Sequence, residues 1–465
     1  VDSTWLKEQI QKLLEKNRVR EVRSWKGITR ECIYHAPLLD PEIEYPRWLP
    51  SAFQGLWRLW WRVKLPWHPN YPHQWFWDSC AFAIVLSSLD IELAQKEIES
   101  LLYAQREDGF IPHMIWNSQK MHWVDRILQW LYRSRHTSPY LQPPALAEAV
   151  ERILERSADI KTVLPLLPAV EKYYTYLDRE RRRGEDGLVE IIISYESGKD
   201  RSPEYDPVYG SSNTAPVWRG PMLRLMIRHW RAGWNPQKIF AGNWFQVKDL
   251  LFNCVYAQNL LSLSRLCQAA DRKREAQIFH QRALQAEESI LSKMYDPETG
   301  LFYSLDSRYG RDRLVKVNTV SSLMPLVLDT ISQAQVERLV KEHLYNSREF
   351  WTEYPIPAEP LSSVTRDERK HIIWRGLQTW IYTNWYIARG LRKQAQRFPQ
   401  HRQEYTQIAD ELTFRSYELV RREGFCDFYH AQTGQGSIAR DFGWSALILD
   451  MVEDMERAAS TGLRR

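Results

Sequence analysis

Apolar residues recur at three- and four-residue spacing over six long windows: Ala81 to Tyr103, Ala145 to Leu177, Val247 to Met294, Val317 to Leu344, Gly376 to Phe398 and Gln403 to Arg422. That period lays them along one face of a helix, so each window predicts helix, and the windows fall mostly into pairs. Alternation with period two is scarce and short, which predicts an all-α chain or nearly so.

Four of the joins share one pattern. REDGFIPH at 106–113, GEDGLVEI at 184–191, ETGLFYSL at 298–305 and REGFCDFY at 422–429 each place an acidic residue, a glycine, and then a short apolar or aromatic run. Glycine accepts the left-handed conformation that ends a helix, and the run after it predicts a short extended segment. Gly109, Gly187, Gly300 and Gly424 are separated by 78, 113 and 124 residues. These are close to multiples of the roughly forty residues that a helix hairpin and its loops occupy. A closed ring of hairpins with its loops on one face satisfies the spacing, and so does a linear solenoid. No Pro/Ser-rich linker divides the chain, so the reading is a single domain: residues 1–72 form an N-terminal helix and a loop-rich leading segment (Pro37 to Pro72) packed on a body spanning 73–465.

Composition narrows the function classes. A hydrophobic share of 44% and a charged share of 26% are ordinary for a globular chain with a large core. The net charge of +5 comes from 63 basic and 58 acidic residues without a long block of either sign, so no nucleic-acid partner is expected; the RERRR run at Arg179 to Arg183 reads as a solvated helix end. Five cysteines without a CxxC pair argue against a disulfide framework or a cysteine zinc site. The opening residues read as an amphipathic helix without an apolar h-region, and no run of about 18 apolar residues follows. A cytoplasmic setting with no membrane partner is the expectation. No HExxH, EF-hand, GxxxxGK[ST] or GxSxG pattern occurs, so no metal, cofactor, nucleotide or serine mechanism is expected. Aromatic content stands out at 13%, with 21 Trp and 23 Tyr. Such rings build cores, and they also stack under sugar rings.

Several stretches resemble glycoside hydrolase family 63, in particular the small bacterial mannosylglycerate and glucosylglycerate hydrolases. They are QWFWDSC at 74–80, DGFIPHM at 108–114, LQPPAL at 141–146, ESGKDRSP at 196–203, FQVKDLLFN at 245–253, YDPETGLFY at 295–303, WRGLQTWIYTNW at 374–385, and FCDFYHAQTGQG at 425–436 with DFGWSAL at 441–447. They run in the family's order from Gln74 to Leu447. VWRGP at 217–221 also resembles the WRGP element, but it lacks the downstream NW pair and reads as coincidence. The resemblance implies the closed ring, an (α/α)6 barrel, and an inverting α-glycosidase acting on a small carbohydrate.

Inverting hydrolysis needs a protonated carboxyl for the glycosidic oxygen and a second carboxylate to activate water on the opposite ring face. The ESGKDRSP match implies that Asp200 is the general acid; the bland alternative is that Asp200 caps the next helix. The relatives carry glutamate in an FxEYxxPxTG pattern, and the matching residue here is Asp427, one methylene shorter. A shift of about 1 Å can cost on the order of a hundredfold in rate. Trp75, Trp77 and Asp78 of QWFWDSC suit a sugar platform with a hydroxyl acceptor, against the alternative of a helix cap beside core rings. Tyr71 is a weaker candidate of the same kind. The resemblance makes Gln142 face the substrate. Tyr195 keeps a ring where the family has tryptophan, and Glu196 either binds a hydroxyl or anchors its loop. Trp374 offers a platform, and Arg375 pairs either with a glycerate carboxylate or with a neighbouring acid. Leu377 replaces a family proline. His113 reads as structural.

The expected substrates are glucosylglycerate or mannosylglycerate. Sucrose, glucosylglycerol or an oligosaccharide are alternatives, because residues 116–140 depart most from the family and would alter the aglycone side. A different class, a carbohydrate-binding protein with weakened catalysis on the same barrel, is motivated by Asp427. A homo-oligomer is compatible with all of these.

Overall fold

The structure is a computed structural model that describes residues 1–23, 28–33, 73–117, 123–210, 219–364, 373–437 and 439–460. Among them, twelve α-helices have ten residues or more: α1 (Ser3–Asn17), α2 (Phe76–Leu86), α3 (Ile91–Leu102), α4 (Trp123–Tyr132), α5 (Leu146–Ser157), α6 (Leu167–Arg181), α7 (Arg219–Arg231), α8 (Leu250–Ala269), α9 (Lys273–Lys293), α10 (Ile381–Arg397), α11 (Arg402–Glu423) and α12 (Ile448–Ser460).

Burial separates inner helices from outer ones. All 11 residues of α2 are buried, whereas α9 buries a stripe containing Ala276, Phe279, Ala283, Ala286 and Ile290. A helix apolar all round belongs inside, and one with a single stripe covers it. The inner elements close a ring: α2 packs on α5, α5 on α8, α8 on the 3-10 segment Val320–Val327, that segment on α10, and α10 on the 3-10 turn Gly443–Leu447, which leads into α12 and returns to α2. Outside, α3 covers α2, both α6 and α9 cover α8, α11 covers α10, and α1 lies on α12 with Leu6, Ile10 and Leu13 buried. Closure excludes the open solenoid, and the fold is an all-α (α/α)6 barrel.

Short antiparallel staples organise one end of the ring. Gln74–Trp75, just before α2, pairs with Met114–Ile115 beyond α3. Val247–Lys248, before α8, pairs with Leu305–Asp306 beyond α9, and Gln378–Thr379, before α10, pairs with Tyr429–His430 beyond α11. Each staple ties the start of an inner helix to the chain leaving its outer partner, so these loops collect on one face. The four recurring glycines all have positive φ, as their pattern predicts. Gly424 directly follows α11, and its φ of 75° with ψ of −168° lies where side chains are not tolerated.

One predicted helix is broken. The window Val317 to Leu344 is a 3-10 segment (Val320–Val327), a short α-helix (Gln333–Arg338) and a π-helical turn (Leu339–Leu344). Pro325 lacks the N–H that an α-helix would use, and the helix restarts only at the Ser332–Gln335 capping box. Most of the leading segment, including Pro37 to Pro72, lies outside the described residues. Among those described, no helix is long and apolar enough to cross a membrane, and Cys80, Cys254, Cys267 and Cys426 are buried free thiols.

Candidate active site

The ESGKDRSP stretch forms a 3-10 turn, Ser194–Ser197, closed by Gly198 with φ 72°. Two buried side chains just before Asp200 fix it, Glu196 and Lys199. Glu196 accepts both guanidinium nitrogens of Arg181, at 2.7 and 2.6 Å, and the backbone N–H groups of Leu141 and Ile192, at 3.0 and 2.9 Å. Those four bonds fill its acceptor sites, so Glu196 anchors the loop and is not offered to a sugar hydroxyl, which corrects its place among the substrate-binding residues. Lys199 donates to Glu204, to Asp249 at 3.0 Å and to Ser321 at 2.6 Å, tying the loop to the first turn of α8 and to the 3-10 segment of the inner ring. Asp200 does not cap the next turn: Pro203–Tyr205 has Ser202 at its N-cap, and the Asp200 carbonyl accepts from the Ser194 hydroxyl at 2.8 Å.

Asp427 sits on the loop beyond α11. Its N–H donates to the Ala439 carbonyl at 2.9 Å and its carbonyl accepts the Trp444 indole N–H at 3.0 Å. Its carboxylate accepts a hydrogen bond from Trp380. Trp380 stacks flat on Trp374, with centroids 3.8 Å apart and planes at 6°. Asp78 lies in the first turn of α2, buried, where the helix N-terminus favours a negative charge.

These three carboxyls come from widely separated parts of the chain and lie within electrostatic reach of one another. Burial pushes Asp200 up to about 7; Arg201 opposes this and the Asp78 charge adds to it. Burial pushes Asp427 up to about 8; the Trp380 hydrogen bond opposes this and the Asp78 and Asp200 charges add to it. Both carboxyls are therefore raised into the range around neutral pH.

The remaining candidates divide. Tyr195 is partly exposed, and besides burial the Asp200 charge raises its phenol. Trp75, also partly exposed, packs edge-on against His113 at 5.3 Å. His113 is buried beside Ser138 and pushed down to about 3 by burial, so it stays neutral, as a structural residue would. Trp77 is 2% exposed; it packs on Tyr382 at 4.6 Å, edge-on to Trp444 at 5.7 Å, and against Gly198. It joins the two loops from beneath and presents no free ring face as a platform, which corrects that expectation. The Gln142 carboxamide oxygen accepts the Trp77 N–H at 3.1 Å, satisfying the start of α2. Arg375 is 1% exposed and paired with Asp206, so the acid alternative holds and its charge is not offered to a glycerate carboxylate. Trp374 is held at φ 61° with one face covered by Trp380. Tyr71 lies outside the described residues. Of the VWRGP decoy, Arg219 to Pro221 open α7. Sequence reasoning missed Trp380, Trp444 and Lys199, although all three lie inside the quoted blocks, and it read Arg181 as part of a solvated helix end, whereas Arg181 is buried against Glu196.

Among the described residues no group of three or more His, Cys, Asp or Glu is arranged to hold a metal ion. A cleft of ≈ 880 Å³ lined by Asp186, Glu190, Lys248, Lys293 and Asp312 contains none of the three aspartates.

Comparison with known proteins fits this geometry. The model of the mannosylglycerate hydrolase MGH1-like glycoside hydrolase domain matches residues 71–445. The chain is 28% identical over 419 residues to a mannosylglycerate hydrolase of Thermus thermophilus, covering 83% of this chain and 95% of that relative. It is 26% identical over 399 residues to a glucosylglycerate hydrolase of Mycolicibacterium hassiacum, covering 75% and 86%. A solved GH63 mannosylglycerate hydrolase from Thermus thermophilus in complex with Tris has a TM-score of 0.76 over 96% of this chain and 100% of that one, at 23% identity, a likeness of fold. With three buried aspartates brought together on an (α/α)6 barrel and the family model matching most of its length, the chain belongs to the mannosylglycerate hydrolase MGH1-like family and is a glycoside hydrolase.

Proposed function

We propose that the protein hydrolyses a small α-glucoside or α-mannoside, glucosylglycerate or mannosylglycerate, with inversion. Asp200 protonates the departing glycosidic oxygen and Asp427 activates the water. The observation that carries this reading is the meeting of Asp78, Asp200 and Asp427, from the first turn of α2 and from two different loops. Burial keeps a proton on Asp200 near neutral pH, which is what a general acid requires. The Trp380 indole N–H favours the ionised form of Asp427, but burial and the charges of Asp78 and Asp200 outweigh it, so Asp427 must shed a proton before it acts as the base. Asp78 supplies an acceptor for sugar hydroxyls, with Trp75 and Tyr195 as ring surfaces beside it. Two of the relatives bear names that specify a sugar joined to glycerate, which supports that aglycone.

The test is incubation with glucosylglycerate, mannosylglycerate, sucrose, glucosylglycerol and simple α-disaccharides. Sugar release from a glycerate conjugate, lost in Asp200→Asn and Asp427→Asn, is the expected result. One observation favours a second reading, a carbohydrate-binding protein with weakened catalysis: Asp427 is shorter than the family's glutamate and its carboxyl is raised to about 8, so it is mostly protonated at neutral pH. Binding without release in the unaltered protein would establish that reading. An Asp427→Glu variant separates the cases further, since a large rise in rate marks a misplaced base and an unchanged or lower rate marks a loop adapted to aspartate.

A further inference from the structure

Two amphipathic helices, far apart in sequence, lie side by side on the surface; α7 is basic, and α4 is followed directly by Arg133 and Arg135. Trp130 of α4 packs on Trp230 of α7 at 5.5 Å, the Arg133 guanidinium lies over the Trp230 ring at 5.1 Å, and the Trp234 indole donates to the Leu131 carbonyl at 3.1 Å. Their buried sides point inward: Met222, Leu225, Met226 and His229 on α7, and Asp125 and Tyr132 on α4. Their outward sides are apolar as well. Leu223 is 53% exposed and, together with the partly exposed Ile227 and Trp230, forms a stripe at helical spacing on α7; Ile127 (52%) and Trp130 (67%) form another on α4.

Arginines edge both stripes. Arg224, Arg228 and Arg231 run beside the α7 stripe, and Arg126 and Arg133 flank Trp130, all exposed. The segments 126–136 and 219–238 together carry eight Arg or Lys and no Asp or Glu, so the rest of this +5 chain is net negative. Five of these, Arg126, Arg133, Arg224, Arg228 and Arg231, are exposed beside the two stripes, although neither segment alone is a block of charge.

We propose that this surface docks the protein on an anionic lipid bilayer, with Trp130, Ile127 and Leu223 entering the interfacial layer and the arginines meeting lipid phosphates. Exposed tryptophan and aliphatic side chains ringed by arginine match an interface that is apolar below and negatively charged above. A second copy of the chain would bring two sets of arginines face to face, and a nucleic acid would leave Ile127 and Leu223 without a partner. No membrane-spanning segment is involved.

The test is sedimentation of the full chain with vesicles of phosphatidylcholine alone and of phosphatidylcholine mixed with phosphatidylglycerol. Binding to the mixed vesicles only, weakening as salt rises, is expected. Leu223→Ser and the triple variant Arg224→Gln/Arg228→Gln/Arg231→Gln should each weaken binding about ten-fold or more while glycosidase activity in vesicle-free solution is unchanged. Leu223 is a surface position, so its variant keeps the test sound if the triple variant folds poorly. Absence of binding to the mixed vesicles at low salt overturns the proposal. So does equal binding to both vesicle types, or retention on a polyanion such as heparin or DNA without vesicle binding.

Discussion

The six-membered ring of Trp77 occupies the space that a Cβ on Gly198 would need: Cη2 and Cζ2 would each lie 2.6 Å from it. Gly198 is two residues from Asp200, and Trp77 also meets Trp444, whose indole holds the carbonyl of Asp427. One buried ring therefore sets the height of the acid loop against the base loop. Gly198→Ala combines a left-handed φ of 72° with this overlap and should cost roughly 1–3 kcal/mol of stability, read by thermal unfolding. It should lower kcat by about a hundredfold with a smaller change in KM, because the acid moves relative to the bond it protonates.

Trp380→Phe keeps a ring on Trp374 and removes the N–H that favours ionised Asp427. The Asp427 carboxyl should rise further, so the acidic limb of the kcat/KM profile moves to higher pH. Activity at neutral pH should fall about ten-fold or more, the worth of a hydrogen bond to a charged group. A pH–rate profile with an unmoved limb would remove Asp427 from the role of base.

Asp200 gives a stability prediction of opposite sign to the catalytic one. The folded chain holds its proton up to about 7, whereas an unfolded aspartate loses it near about 3.9. Between these values the native state binds more protons than the unfolded state, so stability falls as pH rises through the window, and the full deficit is present above it. Asp200→Asn should therefore be inactive yet more stable than the unaltered protein at about pH 8, on the order of a few kcal/mol. The gain should vanish below about pH 4, and unfolding curves at the two pH values check both parts.

Arg181→Met leaves the Glu196 carboxylate buried without its guanidinium partner. The expected loss is about 3–5 kcal/mol, measured by denaturant unfolding, because removing one member of a buried pair strands the other charge.

Much of this was legible from residue order, and the failures have physical causes. The helical windows and the glycine joins follow from period and backbone freedom, which are local. The fourth inner element misled because its apolar spacing is helical while Pro325 denies it an α-helix. Asp200, Asp427 and Asp78 stood out because the blocks that hold them resemble those of glycoside hydrolase family 63. Whether Glu196 and Arg375 face a substrate depends on Arg181 and Asp206, and only the closed ring brings those partners into contact. Trp77 and Trp380 illustrate the same limit among rings: both lie in quoted blocks, one works as packing beneath the loops, and the other donates to Asp427.

The central claim, inversion by Asp200 and Asp427, is tested most directly by the anomer that forms first when glucosylglycerate or mannosylglycerate is cleaved and followed by proton NMR before mutarotation. The account predicts that the β-anomer of the free sugar appears first and the α-anomer grows in later. The α-anomer appearing first would contradict it.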